Sequence, residues 1–134
     1  MKKILKLTGI AIVFAVVLVS CKTEVLTPQE MLEGKWIITT QELLGVTVPG
    51  DGSYLVFNAC SATCTGTDYK ASDSSSGTFD YTMNENATEI LINDPTNDGG
   101  NYNYNWDILE LTETNFRITA SSIFGNLKIE MTKN

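Results

Sequence analysis

The sequence predicts an all-β fold: a small antiparallel up-and-down barrel of about eight short strands, or a small sandwich, entered by a short N-terminal helical turn. Three observations predict it. Beyond Gly34, short runs alternate apolar and polar residues, the period of a strand with one dry face and one wet face. Clusters of Gly, Asn, Asp and Ser separate these runs at spacings of roughly 12 residues. No long helical pattern lies between them, so neighbouring strands pair antiparallel rather than through helical crossovers.

Residues 1–20 read as an export signal. Lys2, Lys3 and Lys6 make a positive start, Ile10 to Val19 is an unbroken apolar run, and a small Ser20 precedes Cys21. A bilayer-spanning helix needs about 20 apolar residues, twice this run, so a cleaved signal is expected rather than a permanent span. Leu18-Val19-Ser20-Cys21 resembles the lipobox of bacterial lipoproteins. That resemblance implies lipid on the Cys21 sulfur, cleavage before it, and an acyl chain such as palmitate on the new amine. Each buried methylene adds about 0.8 kcal/mol of membrane affinity, so several chains anchor stably. Lys22, in place of an aspartate, fits sorting to the bacterial outer membrane, on its periplasmic or cell-surface face. Residues 21–29 then form a lipid-anchored tether, and residues 30–134 the barrel domain.

Charge and composition exclude several functions. Three of the nine basic residues precede Cys21, so the remainder carries six against sixteen acidic residues, a net charge of −10. Such a surface disfavours nucleic acid and anionic lipid alike. The chain has no histidine. Ser-His-Asp and Cys-His nucleophiles and imidazole-based zinc sites are therefore excluded, and a non-enzymatic protein without cofactor or metal is expected. With Cys21 set aside, Cys60 and Cys64 form an even pair, expected as a disulfide that pins a local turn.

The elements follow in order. Thr27 suits an N-cap, Pro28 the first helical position and Glu30 the third, so one turn is expected over Pro28 to Glu33, ended by Gly34. Trp36–Leu44, Tyr54–Phe57 and Thr65–Ala71 are the first strands, and Ser72–Gly77 reads as a loop. Phe79, Tyr81 and Met83 alternate with polar residues, and Glu89–Ile92 follows. Tyr102, Tyr104, Trp106 and Ile108 alternate next, then Phe116, Ile118 and Ala120, then Leu127, Ile129 and Met131. Ile108 and Leu111 break the alternation, and a β-bulge there would turn both inward and bend the strand. Thr112–Asn115 and Gly125-Asn126 read as hairpin turns, and Asp94–Asn101 as a turn rather than a calcium loop.

Gly34-Lys35-Trp36 on the first strand, just after a helical turn, resembles the entry motif of the lipocalin superfamily. With Ser76–Phe79 and Trp106–Phe116, residues 30–134 resemble the compact lipocalin-like lipoproteins common in Bacteroidetes. The resemblance places Trp36 at the closed end of the barrel, often beneath an arginine from a late strand. Arg117 is the chain's one arginine, but its alternation with Phe116 and Ile118 assigns it to the wet face.

The candidate ligand-binding residues are the aromatic ones: Trp36, Phe57, Phe79, Tyr81, Tyr102, Tyr104, Trp106 and Phe116, with Tyr54 beside them. Eight-stranded barrels either hold one small ligand or are filled by side chains. The first case gives a membrane-anchored, monomeric carrier of a small hydrophobic or amphipathic molecule. The second gives a filled interaction module, binding a protein or glycan through its loops and exposing an apolar patch near Tyr102 and Tyr104.

Overall fold

A computed structural model describes residues 23–94 and 102–134. The helical turn forms as α1, Pro28–Leu32. Thr27 caps it reciprocally. Its hydroxyl accepts from the Glu30 backbone N–H at 3.3 Å, and the Glu30 carboxylate accepts from the Thr27 backbone N–H at 2.7 Å. Gly34, at φ +117°, then swings the chain out of α1 in a conformation that a side chain would resist.

Nine strands follow: β1 (Gly34–Leu43), β2 (Val46–Pro49), β3 (Tyr54–Phe57), β4 (Thr65–Lys70), β5 (Ser75–Met83), β6 (Glu89–Asn93), β7 (Asn105–Leu111), β8 (Asn115–Ser122) and β9 (Gly125–Lys133). All pairings are antiparallel. β3 to β9 run in chain order, and β1 pairs with both β3 and β9, closing an eight-stranded barrel. β2 is an extra strand. The first half of β1, Gly34 to Ile37, pairs with β3, and its second half, Thr40 to Leu43, pairs with β2. The β1–β2 hairpin therefore prolongs the wall beyond β3.

Two bulges bend the wall. The register of β7 against β8 shifts between Ile108 and Glu110, leaving Leu109 exposed while Ile108 and Leu111 both pack on the core, as the broken alternation predicts. A second shift, between Ile38 and Thr40, was not legible in the sequence. It changes which residues of β1 face inward: Trp36 and Ile38 before it, Gln41 and Leu43 after it. Gly50 packs here, its N–H donating to the Thr39 carbonyl at 2.7 Å. A Cβ at Gly50 would collide with the Ile38 carbonyl.

Several boundaries differ from the sequence reading. Ser72–Gly77 is not all loop, because β5 starts at Ser75. The turn is tightened at Asp73, whose carboxylate accepts from the Ser75 N–H at 3.1 Å. Tyr102 and Tyr104 precede β7 rather than belong to it. The last hairpin turns at Ile123-Phe124, with Gly125 already in β9 at φ +116°. The Asp94–Asn101 turn lies, except for Asp94, outside the described residues, as do Cys21 and the export signal.

Candidate functional site

The two ends of the barrel are built differently. At one end α1 lies across the opening, beside the 58–64 loop in which Cys60 and Cys64 are bonded with Cα atoms 4.5 Å apart. Leu32 plugs the lumen, and its carbonyl accepts from the Trp36 indole N–H at 2.7 Å. Lys133 Nζ donates to the Met31 carbonyl at 2.8 Å and stands 5.2 Å from the Trp36 ring centre. The cation over Trp36 is thus a lysine of the last strand. Arg117 faces outward as its alternation implies, with Nε 2.7 Å from a Glu110 carboxylate oxygen.

Above α1 the aromatic residues pack on one another. Phe57 meets Tyr81, Phe79 and Phe116 at ring separations of 5.1, 5.4 and 5.9 Å, and Trp36 meets Phe116 at 5.5 Å. Gly66 makes room for Phe79, whose ring occupies the place of a side chain there. The Tyr81 hydroxyl donates to the Asn58 carbonyl at 2.9 Å and accepts from Gln29 at 2.7 Å, tying the 58–64 loop to α1. Burial holds that phenol above its ordinary pKa. Ring contacts of this kind each add about 0.5–1.5 kcal/mol beyond area burial, so this half is a rigid floor.

The other end is open. A cavity of about 580 Å³ lies between the β1–β2 hairpin, the start of β7 and the β8–β9 hairpin. Gln41 and Leu43 of β1 and Val46 and Val48 of β2 form one side. Tyr104 and Trp106 face them, and Phe124, Leu127 and Ile129 complete the wall. The Trp106 indole N–H donates to the Tyr102 carbonyl at 2.8 Å, which fixes the ring. Apolar side chains extend from the cavity onto the surrounding rim: Leu44 at the first hairpin tip, and Ile123 and Phe124 at the second, 93% and 69% exposed.

The structure therefore divides the sequence-derived ligand residues. Trp36, Phe57, Phe79, Tyr81 and Phe116 form the floor, and Tyr102 is buried beneath the mouth. Only Tyr104 and Trp106 line the cavity. Tyr54 lies on the outer wall, stacked on Tyr69 at 4.9 Å. The apolar surface patch is not at Tyr102 and Tyr104, which are buried and half-buried, but at the hairpin tips. Leu43, Val46 and Val48 were missed because they sit where alternation ends, whereas Leu127 and Ile129 showed only as the dry face of the last strand. Val46-Thr-Val-Pro49 nevertheless carries a short alternating signal.

A separate feature lies on the inward face of β4. Asp68 is only 3% exposed, and its Oδ1 has no hydrogen-bond partner among the described residues. Burial, reinforced by the Asp94 charge, raises its pKa above the ordinary value. Burial and the charges of Asp68 and Asp51 push the neighbouring Tyr102 phenol up to about 12. Among the described residues, no three Cys, Asp or Glu side chains are grouped to hold a metal ion.

An antiparallel barrel with a packed, helix-capped floor and an open apolar mouth defines a calyx-type fold. The chain belongs to the lipocalin-like family: the model of the lipocalin-like domain matches residues 32–118. That family is generally non-enzymatic, and its barrel is consistent with binding a small ligand. No curated protein and no solved structure gives a significant match to the chain.

Proposed function

We propose that this protein is an exported, lipid-anchored carrier that holds a small hydrophobic or amphipathic molecule in the mouth of its barrel. One observation carries the reading: a cavity of about 580 Å³, walled by aliphatic and aromatic side chains, opens above a floor already filled with aromatic rings. Its size falls within the roughly 300–1,000 Å³ of small-molecule sites. The apolar rim gives such a ligand a path into the cavity that avoids polar surface.

The anchor belongs to the same proposal. Cys21 carries the lipid, on the bacterial outer membrane, and the Cys60–Cys64 pair suits an oxidising compartment. Because α1 caps the floor, a tether entering through residues 23–27 leaves the mouth unobstructed. Cys21→Ser is expected to release the protein into the soluble fraction. A wild-type N-terminus without lipid mass overturns the anchor.

The carrier reading is tested by native mass spectrometry of protein purified gently from its own host. The expected result is an added mass that leaves on denaturation. A bare mass, with no binding to a panel of apolar dyes and fatty alcohols, overturns it. A second reading is favoured by the exposed Ile123 and Phe124: an interaction module that docks a protein partner on the hairpin tips. It predicts a bare mass together with a partner lost on Phe124→Ser.

A further inference from the structure

The chemistry of the cavity wall narrows what the ligand carries. We infer that the mouth selects a neutral amphiphile, an apolar chain ending in a hydroxyl or carboxamide that bonds to Gln41, and rejects the corresponding carboxylate. The inference rests on the carrier reading and names the ligand class of that site.

Gln41 reaches the interior because of the bulge at Thr39. Beyond it, Gln41 pairs with Ile129 on one side and Val48 on the other, both of which line the cavity. Its carboxamide has no hydrogen-bond partner among the described residues. It offers donors and an acceptor between apolar neighbours on the wall. Ser122, the other short polar side chain there, already donates to the Gly125 carbonyl at 2.8 Å. Tyr104 adds a second neutral polar group.

No cation among the described residues is placed to receive an anionic head. Lys128 borders the cavity, but it adjoins the inward Ile129 in sequence and so takes the outward face of β9. There it stands opposite Glu42, with Nζ 2.8 Å from a Glu130 carboxylate oxygen. Deeper in the barrel the buried charge is negative, at Asp68. An ionised carboxylate entering the mouth would surrender its hydration, find no inward-facing counter-charge and meet a negative field. A neutral head loses far less water and gains Gln41.

The test compares dodecanol, dodecanamide, dodecanoate and dodecylamine against the purified protein in detergent-free buffer at pH 7.5, followed by calorimetry and by Trp fluorescence. The alcohol and the amide are expected to bind at least about tenfold more tightly than dodecanoate, because an ionised head that loses its hydration without a counter-charge is penalised more than a neutral one. Gln41→Leu should weaken the alcohol and the amide, narrowing that preference without abolishing it, while leaving an apolar dye bound. Gln41→Lys should reverse it in favour of dodecanoate. Equal or tighter binding of dodecanoate overturns the inference. If that binding is lost in Lys128→Met, it also identifies the cation responsible. Tightest binding of dodecylamine overturns it as well, moving the head to the buried Asp68 carboxylate. Failure of every chain and of the dye instead overturns the carrier reading itself.

Discussion

The floor and the mouth of this barrel share eight strands but follow opposite rules. At the floor the polar groups near the lumen have partners: the Trp36 indole on Leu32, the Tyr81 phenol on Asn58, and Lys133 on Met31. At the mouth, Leu44, Ile123 and Phe124 stand in water and the Gln41 carboxamide is unengaged among the described residues. Two-residue hairpin turns favour Asn, Asp and Gly. Leu44 at φ +55° and the Ile123-Phe124 pair therefore contribute nothing that turn formation requires. The contrast teaches that stability is concentrated at the capped end, and that the open end retains groups whose value lies in what they meet.

The largest effect should come from the floor. Phe57→Ala removes the ring that touches Tyr81, Phe79 and Phe116, and is expected to cost about 3–5 kcal/mol of folding stability. Urea denaturation measures it. A loss below about 1 kcal/mol, the ordinary size for a point mutation, would show that the floor is not the rigid half.

The next effect runs in the opposite direction. Asp68 has its pKa raised above 3.8, first by burial and then by Asp94. The folded state therefore holds the Asp68 proton more tightly than the unfolded chain does. Its favourable contribution is complete below the unfolded pKa and is lost as pH rises through the raised one. At neutral pH the charged carboxylate is a net cost, so Asp68→Asn should stabilise by about 1 kcal/mol. That gain should vanish as pH falls below the ordinary carboxylate range. Asp51 and Asp73 behave oppositely: hydrogen bonds from Ser53 and Ser75 lower their pKa, so their contribution is lost on acidification. Comparing the stability of the Asp68→Asn variant with that of wild type across pH isolates the Asp68 part.

A smaller loss is expected at the cap. Thr27→Ala removes one half of the reciprocal pair with Glu30 and should cost about 1 kcal/mol. Because α1 covers the floor rather than the mouth, ligand affinity should not change. A fall in affinity in calorimetry would mean that the two ends are coupled.

The floor was far more legible in the sequence than the mouth. Floor residues such as Phe79 and Tyr81, or Phe116 and Ile118, sit mid-strand, where alternation reports the inward face directly. Aromatic residues drew attention as ligand groups, yet large rings in short strands fill a lumen before they line one. The mouth is built where alternation fails. Gln41 faces inward only through a bulge that leaves no sign in Ile38-Thr39-Thr40, and Phe124 belongs to a turn that Gly125-Asn126 placed two residues too late. The β7 bulge was legible because two apolar residues stood out of phase; the β1 bulge displaced a polar one.

Phe124 therefore offers the smallest expected change in stability and the sharpest test of the contrast. It is 69% exposed at a hairpin tip yet lines the cavity. Removing an exposed side chain from such a tip changes folding by no more than about 0.5 kcal/mol. Phe124→Ser is thus expected to leave the urea midpoint nearly unmoved while weakening the binding of an apolar dye, because it replaces part of the wall with a hydroxyl. Phe57→Ala should give the reverse: a large loss of stability, with dye affinity retained by the molecules that remain folded. If Phe124→Ser destabilises the fold as a core substitution does, the tip is structural and the division between floor and mouth is wrong. If it leaves both stability and dye binding intact, the ligand sits lower, against Trp106 and Ile129, and the exposed tip is left to a partner outside the barrel.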